Sequence, residues 1–166
     1  VGAVQEPWVG TRAVPVRRDR PATGCERAGF PAAATTTVRT RTFLVPEADL
    51  PPRFGLTQTY AEFRTPAAAR RFLAGVRASV AGCARREPGT RVSAERRPGA
   101  PGLEVSAWDV STEVTGSASV RFRLGFVRSG RVVARLAFTP SERADMAAGA
   151  FDALLVRAGQ RLREVD

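Results

Sequence analysis

The sequence predicts an α+β domain: a curved, mainly antiparallel sheet with helices packed on it. Three observations lead there. Six segments have the β-branched, alternating character of strands. Two more repeat apolar residues at the helical period, and the whole order is β-β-α-β-β-β-β-α. The 166 residues, 43% of them hydrophobic, suffice for one domain with its own core.

Residues 1–24 show no clear period, contain Pro7, Pro15 and Pro21, and include the run Arg17-Arg18-Asp19-Arg20. They read as an arm or tether on the surface, with Trp8 the ring that docks. Residues 25–166 form the domain proper. Residues 35–45 are a strand with Val38, Thr40, Thr42 and Leu44 on one face and Arg39, Arg41 and Phe43 on the other. Pro46, Pro51 and Pro52 mark a loop. Residues 56–64 are the next strand, with Tyr60 and Phe63 on opposite faces.

Thr65-Pro66 starts a helix: a hydroxyl N-cap, then a proline where no N–H is needed. Its apolar stripe is Ala69, Phe72, Leu73, Val76, Val80 and Cys83, and Arg85 and Arg86 suit the negative end of its dipole. Residues 90–97 are a weak strand ended by Pro98-Gly99-Ala100-Pro101-Gly102. Residues 103–114 are a strong strand, followed by a turn at Thr115-Gly116 and strands over 117–127 and 131–139.

In the last hairpin, Val120, Phe122, Leu124 and Phe126 share one face, as do Val132, Ala134, Leu136 and Phe138. A two-residue turn at Ser129-Gly130 would separate these sets. A three-residue loop, Arg128-Ser129-Gly130, with Gly130 in the left-handed position of a bulged hairpin, unites them on one buried face and is therefore expected. It sets Arg123 opposite Arg135. After Pro140, Asp145 is the expected N-cap of a helix with the stripe Phe151, Leu154, Leu155, Ala158, Leu162 and Val165.

The net charge is +10, yet no specific nucleic-acid partner is expected. All 26 cations are Arg; Lys, Ile, Asn and His are absent, as in proteins of GC-rich genomes. The arginines are scattered, and no aromatic set suits base stacking. Without His, no Ser-His-Asp triad or His-containing metal site forms. No carboxylate cluster has metal-ligand spacing, so no metal or cofactor is expected. No run approaches the ~20 apolar residues of a membrane helix. The start at Val1 fits a mature or trimmed form, and a membrane tether would lie outside the given chain. Cys25 and Cys83 lack redox or zinc spacing; two separate buried thiols or one disulfide both fit.

Further motifs occur in a telling order: the early Cys25; Arg41-Thr42-Phe43; Glu62-Phe63; Thr65-Pro66-Ala67-Ala68-Ala69-Arg70 through Gly82-Cys83-Ala84; Ser106-Ala107-Trp108; the hairpin 127–134; and Phe138-Thr139-Pro140. This order resembles the extracellular sensor domain of actinobacterial membrane Ser/Thr protein kinases, the PknH-like sensor family, which includes secreted and lipid-anchored relatives. The resemblance covers roughly residues 25–164. It implies an extracytoplasmic domain, an antiparallel sheet with helices, a ligand-binding cleft and structural disulfides, hence a Cys25–Cys83 cystine. The chain departs from the family in having one possible cystine where members can have two, and no Trp in the helix before Cys83. The resemblance supplies no catalytic residues.

The expected partner is a small molecule, with anions and carboxylates the classes that Arg forks suit. Arg121, Arg123 and Arg135 on the outer face of the last hairpin are the candidate floor, Arg39 and Arg41 its extension, and Trp108 a flat wall. The rival expectation is a small His-less cyclase or isomerase. Its acid–base work would fall to Glu62, Glu104, Asp109, Glu113 or Tyr60.

Overall fold

The computed structural model describes residues 8–44, 55–115, 118–140 and 145–163. Two short strands, β1 (Val9–Gly10) and β2 (Val14–Pro15), precede β3 (Thr35–Leu44) and β4 (Gly55–Phe63). Helices α1 (Pro66–Ala81) and α2 (Cys83–Arg86) follow. Then come β5 (Thr90–Val92), β6 (Glu104–Thr115), β7 (Ala118–Ser129), β8 (Val132–Thr139) and α3 (Ala148–Leu162). The eight strands form one open sheet in the order β1-β3-β4-β8-β7-β6-β5, with β2 also on β3 and every pairing antiparallel.

The α+β class and element order match the expectation. Residues 9–16 run along the outer edge of β3, where Thr11 N–H donates to Thr42 O and Val16 N–H to Val38 O. Trp8 docks edge-on against Phe138, with ring centroids 6.3 Å apart. The Thr65 hydroxyl accepts from Ala68 N–H at 3.1 Å, so α1 begins as its sequence dictates. The Cys25–Cys83 disulfide ties the Gly24–Glu26 turn to the start of α2.

The two faces of the sheet bear separate cores. On one, α1 covers Ala61, Phe63, Trp108, Val110, Leu124, Phe126 and Val133, joined by the cystine and Phe30. On the other, α3 covers Leu56, Ala107, Val127, Ala134, Leu136 and Phe138. The centres of β7 and β8 are therefore buried on both sides, which is why Val132 through Leu136 are buried without a break.

Three local expectations are corrected. The last hairpin has a two-residue loop, Gly130-Arg131, which pairs Ser129 with Val132 and Phe126 with Arg135. Gly130 does adopt a positive φ of 50°, at the first loop position, where glycine suits a tight hairpin. The two apolar sets thus lie on opposite faces, each under its own helix, and Arg123 pairs with Phe138 rather than Arg135. The weak strand over 90–97 is ladder only at Thr90–Val92, with one further bridge from Arg96 to Ala107. Asp145 precedes the actual N-cap, Ala147, and holds Arg123 instead of capping α3. The loop prolines 46, 51 and 52, Gly116 and Val165 lie outside the described residues.

Candidate ligand-binding site

Alternation along each strand sorts the expected arginines. Arg121 and Arg123 on β7 share the α3 face with Gly125 and Val127, whereas Arg135 on β8 shares the α1 face with Val133. Arg39 and Arg41 on β3 also look to the α3 face, because they pair with Tyr60 and Gln58. Strands β4 and β8 separate them from Arg121 and Arg123.

Arg135 is enclosed. Its Nη2 lies 3.0 Å from Asp19 Oδ1, its Nη1 3.1 Å from Glu26 Oε1, and its guanidinium 5.6 Å from the Phe30 ring centroid. Glu26 also accepts from the N–H groups of Ala22 and Thr23. Burial pushes the Glu26 carboxyl above its ordinary value, although Arg135 pulls it down. Trp108 packs in the α1-side core, 3% exposed. Neither Arg135 nor Trp108 lines either of two depressions that other arginines line.

The first depression is a groove of about 460 Å³ near the start of α3, lined by Arg91, Ser93, Asp109, Ser111, Arg121, Arg123 and Asp145 among others. Arg123 is already neutralised: its Nη1 lies 2.5 Å from Asp109 Oδ1 and its Nη2 3.1 Å from Asp145 Oδ2. The other Asp109 oxygen is 2.7 Å from Arg96, which also holds Asp152. Burial alone would lower the Arg96 guanidinium, but Asp152 and Asp109 hold it above its ordinary value. Arg121 is exposed and makes no ion pair among the described residues.

The second depression, of about 240 Å³, lies between β3, β4, β8 and the last turns of α3. Its apolar lining is Ala13, Val132, Ala158 and Leu162; its polar lining is Arg41, Gln58, Tyr60, Glu62 and Arg161. Arg41 Nε–H donates to Gln58 Oε1 at 2.8 Å, and the guanidinium stacks over Phe43 with 4.7 Å to the centroid. Burial, then repulsion from Arg161, lowers the Arg41 guanidinium below its ordinary value, with Tyr60 opposing. Glu62 is committed to Arg131 at 2.7 Å. Among the described residues neither Arg41 nor Arg161 has a carboxylate partner. Arg39 is exposed on the same face of β3.

Sequence reasoning missed Arg161. It sits beside the apolar stripe in the last turn of α3, a place that suits a cation by the helix dipole alone. Only the packing of α3 on β6, β7 and β8 sets it in the same depression as Arg41.

The acid–base candidates are held by arginines. Glu104 meets Arg77 and Arg128, Asp109 meets Arg96 and Arg123, and Glu113 meets Arg91. Burial would raise Glu104, but hydrogen bonds from Arg128 and Arg77 bring it below its ordinary value. Tyr60 does face the second depression.

No family model matches the chain, and no curated protein matches it in sequence. Among solved structures, its fold is similar to the extracellular domain of PknH from Mycobacterium tuberculosis. The TM-score is 0.59 at 12% identity, over 93% of this chain and 85% of that one.

Proposed function

We propose that the chain is an extracytoplasmic, sensor-like ligand-binding domain that holds a small anionic molecule on the α3 face of its sheet. One observation carries the reading: Arg41 and Arg161 face the same half-apolar pocket and neither has a carboxylate partner among the described residues, because Glu62 on the same wall is paired with Arg131. Two unneutralised cations converging on a partly dry site repel each other, and an anion relieves that repulsion. A fold shared with a kinase's extracellular domain and an internal disulfide support the placement and the sensor role. In this reading any membrane tether lies outside the chain. The acid–base alternative has less support, because Glu62, Glu104, Asp109 and Glu113 each have an arginine partner.

The test is thermal unfolding with and without acetate, hexanoate, inorganic phosphate and citrate, beside native mass spectrometry of protein purified from its own host. An anion should raise the midpoint of wild type and of Arg121→Gln but not of Arg41→Gln. A midpoint that no anion moves, together with a host-purified mass equal to the bare chain, would overturn the reading.

A further inference from the structure

The Arg41–Arg161 pocket has a chemical asymmetry that restricts its ligand further than charge alone. We infer that it is a site for an amphipathic monocarboxylate, its carboxylate between Arg41 and Arg161 and its compact apolar body against Val132, Ala158 and Leu162. This rests on the small-anion reading above and adds the ligand's class.

Three features carry it. Gln58 engages Arg41 through Nε alone, which fixes the guanidinium and leaves both Nη groups as donors, the fork that a planar carboxylate fits. Phe43 stacked on the guanidinium restrains it further, so little order is lost on binding. Beyond the cations the lining turns apolar, with Ala13, Val132, Ala158 and Leu162. A compact polyanion such as citrate would set its remaining charges against that surface and against Glu62, at an uncompensated desolvation cost. An apolar tail there is buried favourably. The volume, about 240 Å³, is below the roughly 300–1,000 Å³ of drug-sized sites, so the body is short. Tyr60 adds a hydroxyl donor at the same wall.

The test is isothermal titration of the whole chain with acetate, butyrate, hexanoate, octanoate and benzoate. Hexanamide serves as the uncharged isostere, and inorganic phosphate and citrate as polyanions. Affinity should tighten by about fourfold per added methylene until the pocket is full, then stop rising. Hexanamide should bind at least tenfold more weakly than hexanoate. Arg41→Gln and Arg161→Gln should each weaken hexanoate by tenfold or more, and Arg121→Gln should leave it unchanged. Arg161 is exposed, so its variant keeps the test valid if Arg41→Gln fails to fold. Phosphate or citrate binding in an Arg41-dependent way, with no gain along the alkanoate series, would overturn the monocarboxylate assignment and leave the small-anion reading standing. Loss of hexanoate in Arg121→Gln, with Arg41→Gln unaffected, would move the ligand to the groove and also overturn it. If no anion binds, both readings fall.

Discussion

Arg135 and Asp19 are 116 residues apart in sequence and form a buried ion pair, Nη2 to Oδ1 at 3.0 Å, with side chains 7% and 6% exposed. The pair fastens the stretch before Cys25 onto the α1 face of the sheet, and Glu26 shares the same guanidinium at 3.1 Å. Removing the arginine leaves two carboxylates buried without a counter-charge. Arg135→Ala should therefore lower the unfolding free energy by about 3–5 kcal/mol in urea titrations. Arg121→Ala, an exposed site, should change it by no more than about 0.5 kcal/mol.

Where α3 crosses β7, the backbone approaches too closely for a side chain. A Cβ on Gly125 would lie 2.3 Å from Leu155 Cδ1, and one on Gly159 2.4 Å from Val127 Cγ2. Gly125→Val should cost about 1–3 kcal/mol of stability by overpacking, read from the urea midpoint. Adding Leu155→Ala should recover part of that loss, since the two changes compete for one space.

The cystine closes a loop of 58 residues in sequence separation. In the loop-entropy account its removal costs roughly 4 kcal/mol. Cys25→Ala/Cys83→Ala should show a loss of that order in urea, and the native chain, denatured without reductant, should give no free thiol with Ellman's reagent.

Acid should act with opposite sign at two carboxylate sets. Glu95 and Glu104 sit below their ordinary value because hydrogen bonds from Arg97 and Ser106 on Glu95, and from Arg128 and Arg77 on Glu104, outweigh burial. Their contribution is complete above the ordinary glutamate value and is lost as pH falls through the depressed one. Glu26 is raised by burial, so its contribution is complete below the ordinary value and is lost as pH rises through the raised one. Urea midpoints measured across acid to neutral pH should show both slopes. Glu104→Gln should flatten the acid side, and Glu26→Gln should remove the decline on the side above it.

Much of the α3-face pocket was legible in part. Arg41 followed from the two-residue period of β3, and the same period put Tyr60 and Phe63 on opposite faces of β4. Arg161 was not, because nothing local distinguishes a cation that meets a sheet across a helix end from one that only faces water. The partners of Arg123 and Arg135 were hidden for a related reason. Asp145 and Asp19 come from segments outside the hairpin, so no periodicity within it points to them.

What the sequence by itself determined is what short-range chemistry dictates: the order of strands and helices, the Thr65 cap of α1, the positive φ at Gly130, and the stripes that α1 and α3 bury. Only the tertiary structure decided the register of the last hairpin. Register is legible when one face of a strand pair is buried and the other is wet. Here α1 covers one face and α3 the other, so Leu124 to Val127 and Val132 to Leu136 are apolar or enclosed on both sides. A slip that exchanges faces then costs no exposed core, and the apolar pattern cannot choose. The choice falls to contacts between distant segments: Gly125 beneath Leu155, Arg135 beneath Asp19 and Glu26, and Arg123 between Asp109 and Asp145.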